Sequence, residues 1–320
     1  MMEDVMPLPA TEAVSARHDM LDAWDVPTIL ASLWEGQLAA VAALGPALPA
    51  LGRAVEAATA RLAAGGRLVY AGAGTSGRIA VQDAVELVPT FDWPEDRLVL
   101  LMAGGEAALL RSVENAEDRA DLAAAAVADH ALGVNDVLVG VAASGTTRFT
   151  VAAVRTARAR GALTIGIANS ARTPLLDAAE FPVAIETGAE AIAGSTRMKA
   201  GTAQKAALNL FSSAVMVRLG HVYRGQMVDM LARNAKLRAR AVRMLRGITG
   251  CAEAEARVAL EMADGKVKVA ILIVRGMQPA EAVALLARHA GNLRATLEQG
   301  ATLATLARRS SEDADMPPPR

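Results

Sequence analysis

Residues 67–91 read RLVYAGAGTSGRIAVQDAVELVPTF, and the order of residue types in them predicts the architecture. RLVYAG (67–72) is an apolar run with β-branched and aromatic character, which suits a buried strand. Gly72 and Gly74 then allow a tight turn, and Thr75 or Ser76 is placed to cap the helix that follows. A strand, a Gly/Ser/Thr turn and a helix N-terminus gather free N–H groups, hydroxyls and the positive end of the helix dipole at one place. That place favours an anion. No Gly-Lys-Ser/Thr follows, so the turn is not a P-loop, and GAGTSG lacks the glycine spacing of a dinucleotide fingerprint.

The alternation continues downstream. Further strands are predicted at RLVLLMAG (97–104), DVLVGVAA (136–143), ALTIGIAN (162–169) and FPVAIE (181–186), with helices over 76–87, 106–128 and 147–160. Apolar strands separated by helices predict an α/β fold built on a doubly wound five-stranded parallel sheet. Ligands of such sheets bind at the carboxyl ends of the strands, so TSG (75–77), AGGEAA (103–108) and ASGTT (143–147) should share one rim. Upstream, Val26–Ala63 predicts two helices with a break near Gly45-Pro46, and residues 1–20, with Pro7 and Pro9, a loosely structured arm. GSTRMKAGTAQKAALNLFSSAVMVRLG (194–220) opens on hydroxyl residues and continues as a long helix. Beyond it, GCAEAEARVALEMADG (250–265) matches GMQPAEAVALLARHAG (276–291) at an offset of 26, which predicts paired helix–glycine–helix units. The expected boundaries are an arm at 1–20, the sheet domain at 21–245, a helical repeat subdomain at 246–300 and a disordered polar tail at 301–320.

With 320 residues, 53% of them hydrophobic, the chain can bury a full core, and a formal net charge of −1 gives no reason to expect nucleic acid or a membrane as partner. The single cysteine, Cys251, excludes an intrachain disulfide. The start MMEDVMPLPATEAV lacks signal-peptide character, and no uninterrupted apolar run of about 18 residues is present. A cytoplasmic protein is expected.

Three hydroxyl-rich turns could hold a phosphate: Thr75-Ser76-Gly77, Ser144-Gly145-Thr146-Thr147 and Ser195-Thr196. Each alone is an ordinary helix cap. Together on one rim they suit a sugar phosphate. Glu86, between Val85, Leu87 and Val88, is expected in an apolar setting that raises its pKa. Glu117 lies in the polar cluster ENAED (114–118), and Glu190, before the 194–197 turn, could bind sugar hydroxyls. Arg197 and Lys199 suit either substrate or a salt bridge. The four histidines (18, 130, 221, 289) are scattered without ligand spacing, so neither a metal nor another cofactor is expected.

GAGTSGR, the glutamate before PTF, AGGEAALLRSVENAED, AASGTT, GSTRMKAGTAQK, MVDMLARNAKL and TGC together resemble the N-acetylmuramic acid 6-phosphate etherase family, in consistent order from about Thr11 to Leu297. The resemblance implies a sugar isomerase (SIS) domain. It also implies cleavage of the D-lactyl ether of N-acetylmuramate 6-phosphate to N-acetylglucosamine 6-phosphate and D-lactate, in amino-sugar catabolism and cell-wall recycling. On the same basis Glu86 is the proton donor, Glu117 the second catalytic glutamate, and the protein a homodimer whose sites lie near the interface. Two departures stand out: the family's S-E-C-P-P-T-F appears as Val85-Glu86-Leu87-Val88-Pro89-Thr90-Phe91, and Thr146 stands where an arginine is common. The alternatives within the fold are a non-catalytic sugar-phosphate sensor, like the glucokinase regulatory protein, and an aldose–ketose phosphate isomerase.

Overall fold

The five apolar runs do form strands: β1 (Leu68–Gly72), β2 (Leu98–Met102), β3 (Val137–Ala142), β4 (Leu163–Ala168) and β5 (Phe181–Ala184). The structure, a computed structural model, describes residues 9–230 and 234–299. All five strands pair in parallel in the order β2-β1-β3-β4-β5. β1, β3 and β4 are buried at every position, which is why their sequences are continuously apolar rather than alternating.

Helices cover both faces. α1 (Val26–Ala42) and α2 (Leu48–Ala63) precede the sheet, and α3 (Gly74–Phe91) follows β1. α4 (Ala107–Leu110) and α5 (Ala120–Asp129) lie between β2 and β3, α6 (Arg148–Ala159) follows β3, and α7 (Pro174–Ala178) follows β4. α5, α6 and α7 pack on the face that carries Val69, Ala71, Leu138 and Ala142. α2 lies against β3, β4 and β5. The long helix α8 (Lys199–Arg218) comes after β5.

Two expectations need correction. The helix expected over 106–128 is broken: Gly104 and Gly105 turn left-handed, α4 lasts four residues, and Asn115 at φ 57 precedes a 3-10 turn, Ala116–Asp118. Of the loose arm expected at 1–20, residues 1–8 lie outside the described residues, and the rest instead contains 3-10 turns at Ala10–Glu12 and Ala16–His18, tied down where His18 bonds Ser15 and Ser32 and where Arg17 pairs with Glu35. Burial, then the charges of Arg17 and Lys199, pushes the His18 pKa down. The 38-residue stretch Val26–Ala63 is long and apolar enough to cross a membrane by length and composition, with a mean hydropathy of 1.5 over its best window. It is interrupted at Gly45–Ala47, and its second half carries the buried face that covers the sheet.

Finally, the chain divides into two compact units. One runs to Val88 and from Trp93 to Val215, and the other holds Pro89–Asp92 and continues from Met216. In the second unit α9 (Ala235–Thr249) shares one apolar cluster with α10 (Glu253–Met262), α11 (Val267–Val274) and α12 (Pro279–Arg288). This second unit also holds a short hairpin, β6 (Val222–Tyr223) with β7 (Gln226–Met227). The internal repeat is visible in it: α10 and α12 each end at a left-handed glycine, Gly265 (φ 75) and Gly291 (φ 76). The tail at 301–320 lies outside the described residues.

Candidate active site

The strand order reverses between β1 and β3, and in open sheets ligands settle beyond the carboxyl ends of the strands at such a reversal. The two turns that flank this point are the first two hydroxyl-rich turns. After β1, Gly72 and Gly77 sit in backbone contact. A Cβ on Gly72 would lie 2.8 Å from the Gly77 Cα, and one on Gly77 would run into Met102 Sδ and the Gly72 carbonyl. Two hydrogens in place of side chains therefore seat the first turn of α3 directly on the end of β1. α3 starts at Gly74, so Thr75 and Ser76 stand within its first turn rather than before it. Ser76 is buried.

After β3, the Ser144 hydroxyl lies 2.9 Å from Thr146 Oγ1 and accepts from the Thr146 amide at 3.2 Å, which folds the loop on itself. Gly145 takes φ 72, and Thr147 precedes α6 without its side chain capping the helix. The third turn arrives by way of α8. A Cβ on Gly201 would be 3.4 Å from Ile79 Cδ1 and 3.6 Å from Thr75 Cγ2, so the first turns of α8 and α3 touch. Ser195 and Thr196, just before α8, are thereby brought to the rim beside Thr75. The N-termini of α3 and α8 thus meet beside Thr75, while the Ser144–Thr147 turn follows the neighbouring strand β3.

Glu117 lies on the connection that follows β2. Its 3-10 turn, exposed to solvent, packs against α6, the helix that the second turn opens. Glu190, expected to bind sugar hydroxyls, is turned inward. It is fully buried, and its two carboxylate oxygens accept from the amides of Lys199 (3.0 Å) and Ala200 (2.9 Å), capping α8. Lys199 donates to the Thr187 carbonyl at 2.8 Å.

Glu86 is the larger departure. It sits on α3 ten residues past Ser76, and a helix rises about 1.5 Å per residue, so about 15 Å of helix separates the two. α3 runs back from the rim, which places Glu86 away from the three turns of its own chain. Nor is it enclosed by apolar neighbours. Glu86 is exposed, Val85 is 46% exposed, and Leu87 points into the core. Asp83, one turn earlier, was not singled out by sequence and is buried. It accepts from the Tyr70 hydroxyl (2.8 Å), Asn209 Nδ2 (2.6 Å) and the Ser212 hydroxyl (3.1 Å). Arg78 was also missed. It reaches from the TSG turn to the loop that leads to Glu117.

The chain matches the family model of the glucokinase regulatory protein N-terminal SIS domain over residues 50–158 and that of the SIS domain over residues 119–214. Fold and rim therefore define an SIS-domain protein. Over its whole length the likeness is narrower. It is 48% identical to the N-acetylmuramic acid 6-phosphate etherase of Deinococcus radiodurans, covering 93% of this chain and 98% of that one. It is 46% identical to the enzyme of the same name from Streptomyces avermitilis, covering 88% and 91%. The chain belongs to the N-acetylmuramic acid 6-phosphate etherase family. Among solved structures, a phosphoheptose isomerase from Francisella tularensis superposes with a TM-score of 0.47 at 19% identity, over 61% of this chain and 100% of that one.

Proposed function

We propose that this protein is a carbon–oxygen lyase that cleaves the D-lactyl ether of N-acetylmuramic acid 6-phosphate, giving N-acetylglucosamine 6-phosphate and D-lactate. The observation that carries the reading is family membership across 98% of a relative's length, with both glutamates present. The sensor and isomerase alternatives fall behind it, since relatives at 41–48% identity bear the etherase name.

The phosphate is assigned to the rim, to Thr75, Ser76 and Gly77 on one turn and Ser144, Gly145, Thr146 and Thr147 on the other, with Ser195 and Thr196 beside them. Opening the sugar to its aldehyde acidifies the C2 proton, so the scheme calls for no cofactor. Glu117 removes that proton as a carboxylate. The C3–O bond breaks, the departing lactate oxygen takes a proton from Glu86, and a C2=C3 alkene conjugated with the aldehyde remains. Water then adds at C3, losing a proton to the Glu86 carboxylate, and Glu117 returns a proton to C2. Two carboxyls in opposite protonation states are required.

Since Glu86 stands about 15 Å from its own rim, the reading needs a homodimer in which Glu86 of the partner subunit completes each site. Exposed apolar residues on α1 support pairing: Val26, Leu30, Trp34, Leu38 and Val41 recur at helical spacing. Val85 and Leu210 are exposed as well. We place the enzyme in the cytoplasm, where a chain with one free cysteine and no disulfide is at home.

In ¹⁸O-water the label should appear at C3 of the sugar and be absent from the lactate, and in D₂O deuterium should appear at C2. Label in the lactate would mean attack at the lactyl carbon, and both glutamate roles would fall.

A further inference from the structure

The Glu117 turn stands at the end of a loop with little structure of its own. From Gly104 to Asn115 only Ala108 is buried, and Gly104 (φ 83), Gly105 (φ 64) and Asn115 (φ 57) are all left-handed. α4 contributes four residues, after which Arg111 is extended. Glu117 is exposed, so the backbone that carries it must set its position.

Two contacts hold that backbone. The Ala116–Asp118 turn packs on α6. At the other end, Arg78 Nε donates to the Ala108 carbonyl at 2.9 Å and Nη2 to the Arg111 carbonyl at 3.2 Å. These carbonyls close the C-terminal end of α4, where a cation is favourable. Arg78 itself is half-buried on the first turn of α3, two residues from Ser76. A planar guanidinium can serve two carbonyls at once in fixed geometry, whereas an ammonium is a point donor.

We propose that Arg78 is a positioning residue: it ties the turn that carries Thr75 and Ser76 to the loop that carries Glu117, and so fixes the reach of Glu117 over a substrate held at the rim. This rests on Glu117 as the base. A displacement of the base by about 1 Å costs on the order of a hundredfold in rate while phosphate binding is retained.

The experiment compares Arg78→Ala and Arg78→Lys with the wild type in kinetics and in amide hydrogen exchange. Both variants should lose kcat, Arg78→Ala by about a hundredfold, with KM held within about threefold. Deuterium uptake at C2 should fall in step. Exchange should rise across 104–118 while β1 and β3 stay protected, and added guanidinium should restore part of the Arg78→Ala rate. Arg78→Lys keeps the charge and the stem, so it carries the test if the alanine variant unfolds. A rise in KM with kcat intact would make Arg78 a phosphate ligand and overturn the proposal, as would unchanged exchange with an unchanged rate. Glu117→Gln runs alongside: if it stays active, the base assignment has failed, and the exchange result is judged separately.

Discussion

Glu86 can be tested by pairing two inactive variants. The relevant lengths come from the helix and the substrate. Ser76 and Glu86 are separated by about 15 Å along α3, and the glutamate side chain recovers about 5 Å of that by leaning toward the N-terminus. The phosphorus of a hexose 6-phosphate is five bonds from C3, which spans at most about 6–7 Å at ordinary bond lengths. With the phosphate held beyond the start of α3, as proposed, C3 would stop several ångströms short of the carboxyl of the same chain. A hydrogen bond needs about 2.5–3.0 Å between oxygens. On the proposed reading, Glu86 of the partner subunit supplies the reach in a two-fold dimer.

Glu86→Gln and Glu117→Gln homodimers should each be inactive, losing several orders of magnitude in kcat with little change in substrate binding. Co-expressed with different tags and purified in tandem, the mixed dimer has one site that lacks both carboxyls and one that lacks neither. It should therefore recover about half of the wild-type turnover per dimer. If both glutamates act within one chain, every site in the mixed dimer lacks one of them and no activity returns. An inactive mixed dimer, intact by light scattering, would refute the geometry. An active monomer would remove its premise.

Two further outcomes follow from the same structure. Ser76→Ala and Ser144→Ala should each remove one hydrogen bond to a charged acceptor, on the order of 1.5–3 kcal/mol, and raise KM about tenfold or more with kcat nearly kept; efficient cleavage of unphosphorylated N-acetylmuramate would undo that assignment. At the opposite edge of the sheet, Asp136 accepts from the Arg67 amide, Nε and Nη2 and from the Gly133 amide. Burial works to raise the Asp136 pKa, but the Arg67 side chain, those amides and the Arg67 charge outweigh it and hold the group below 3.8. The folded value being the lower one, this carboxylate contributes stability above the unfolded value of 3.8, and the contribution is lost as pH falls through the folded value. Asp136→Asn should cost about 2–3 kcal/mol at neutral pH, less than a fully buried pair because Arg67 is partly exposed, and should flatten the acid side of a Tm–pH profile; an unaltered acid slope would count against it.

How much of this was legible from sequence differed by element. The strands were, because a sheet covered on both faces writes continuous apolar runs, and the rim followed from which turns come after which strands. The break in 106–128 was obscured because Ala107–Leu110 and Ala120–Asp129 are each helical by composition, while the left-handed Asn115 between them leaves little trace. Glu190 looked like a free carboxylate, since nothing local reveals that its oxygens close a helix nine residues later. Glu86 misled for a different reason. Val85 and Leu87 adjoin it in sequence, but residues next to each other on a helix point about 100° apart, so apolar neighbours at i±1 do not enclose it.

What sets the rotation of α3 is its buried face, made by Ala80, Asp83, Ala84 and Leu87. A buried carboxylate without partners costs several kcal/mol, and Asp83 escapes that by accepting from Tyr70 on β1 and from Asn209 and Ser212 on α8. These partners come from two elements, β1 and α8, so they tie α3 to both. With Ala80, Asp83, Ala84 and Leu87 all turned inward, Val85 falls on the outer face and Glu86 on its flank, both exposed. Tyr70 remains a donor throughout, because burial first and the Asp83 charge second drive its pKa well above 10. The orientation of α3 should thus hold steady through the neutral range. A catalytic pH profile measured there would report groups at the site rather than a loosening of the helix. On the proposed reading, the same helix would begin as part of the phosphate site and end by presenting a carboxyl to the site of a two-fold partner.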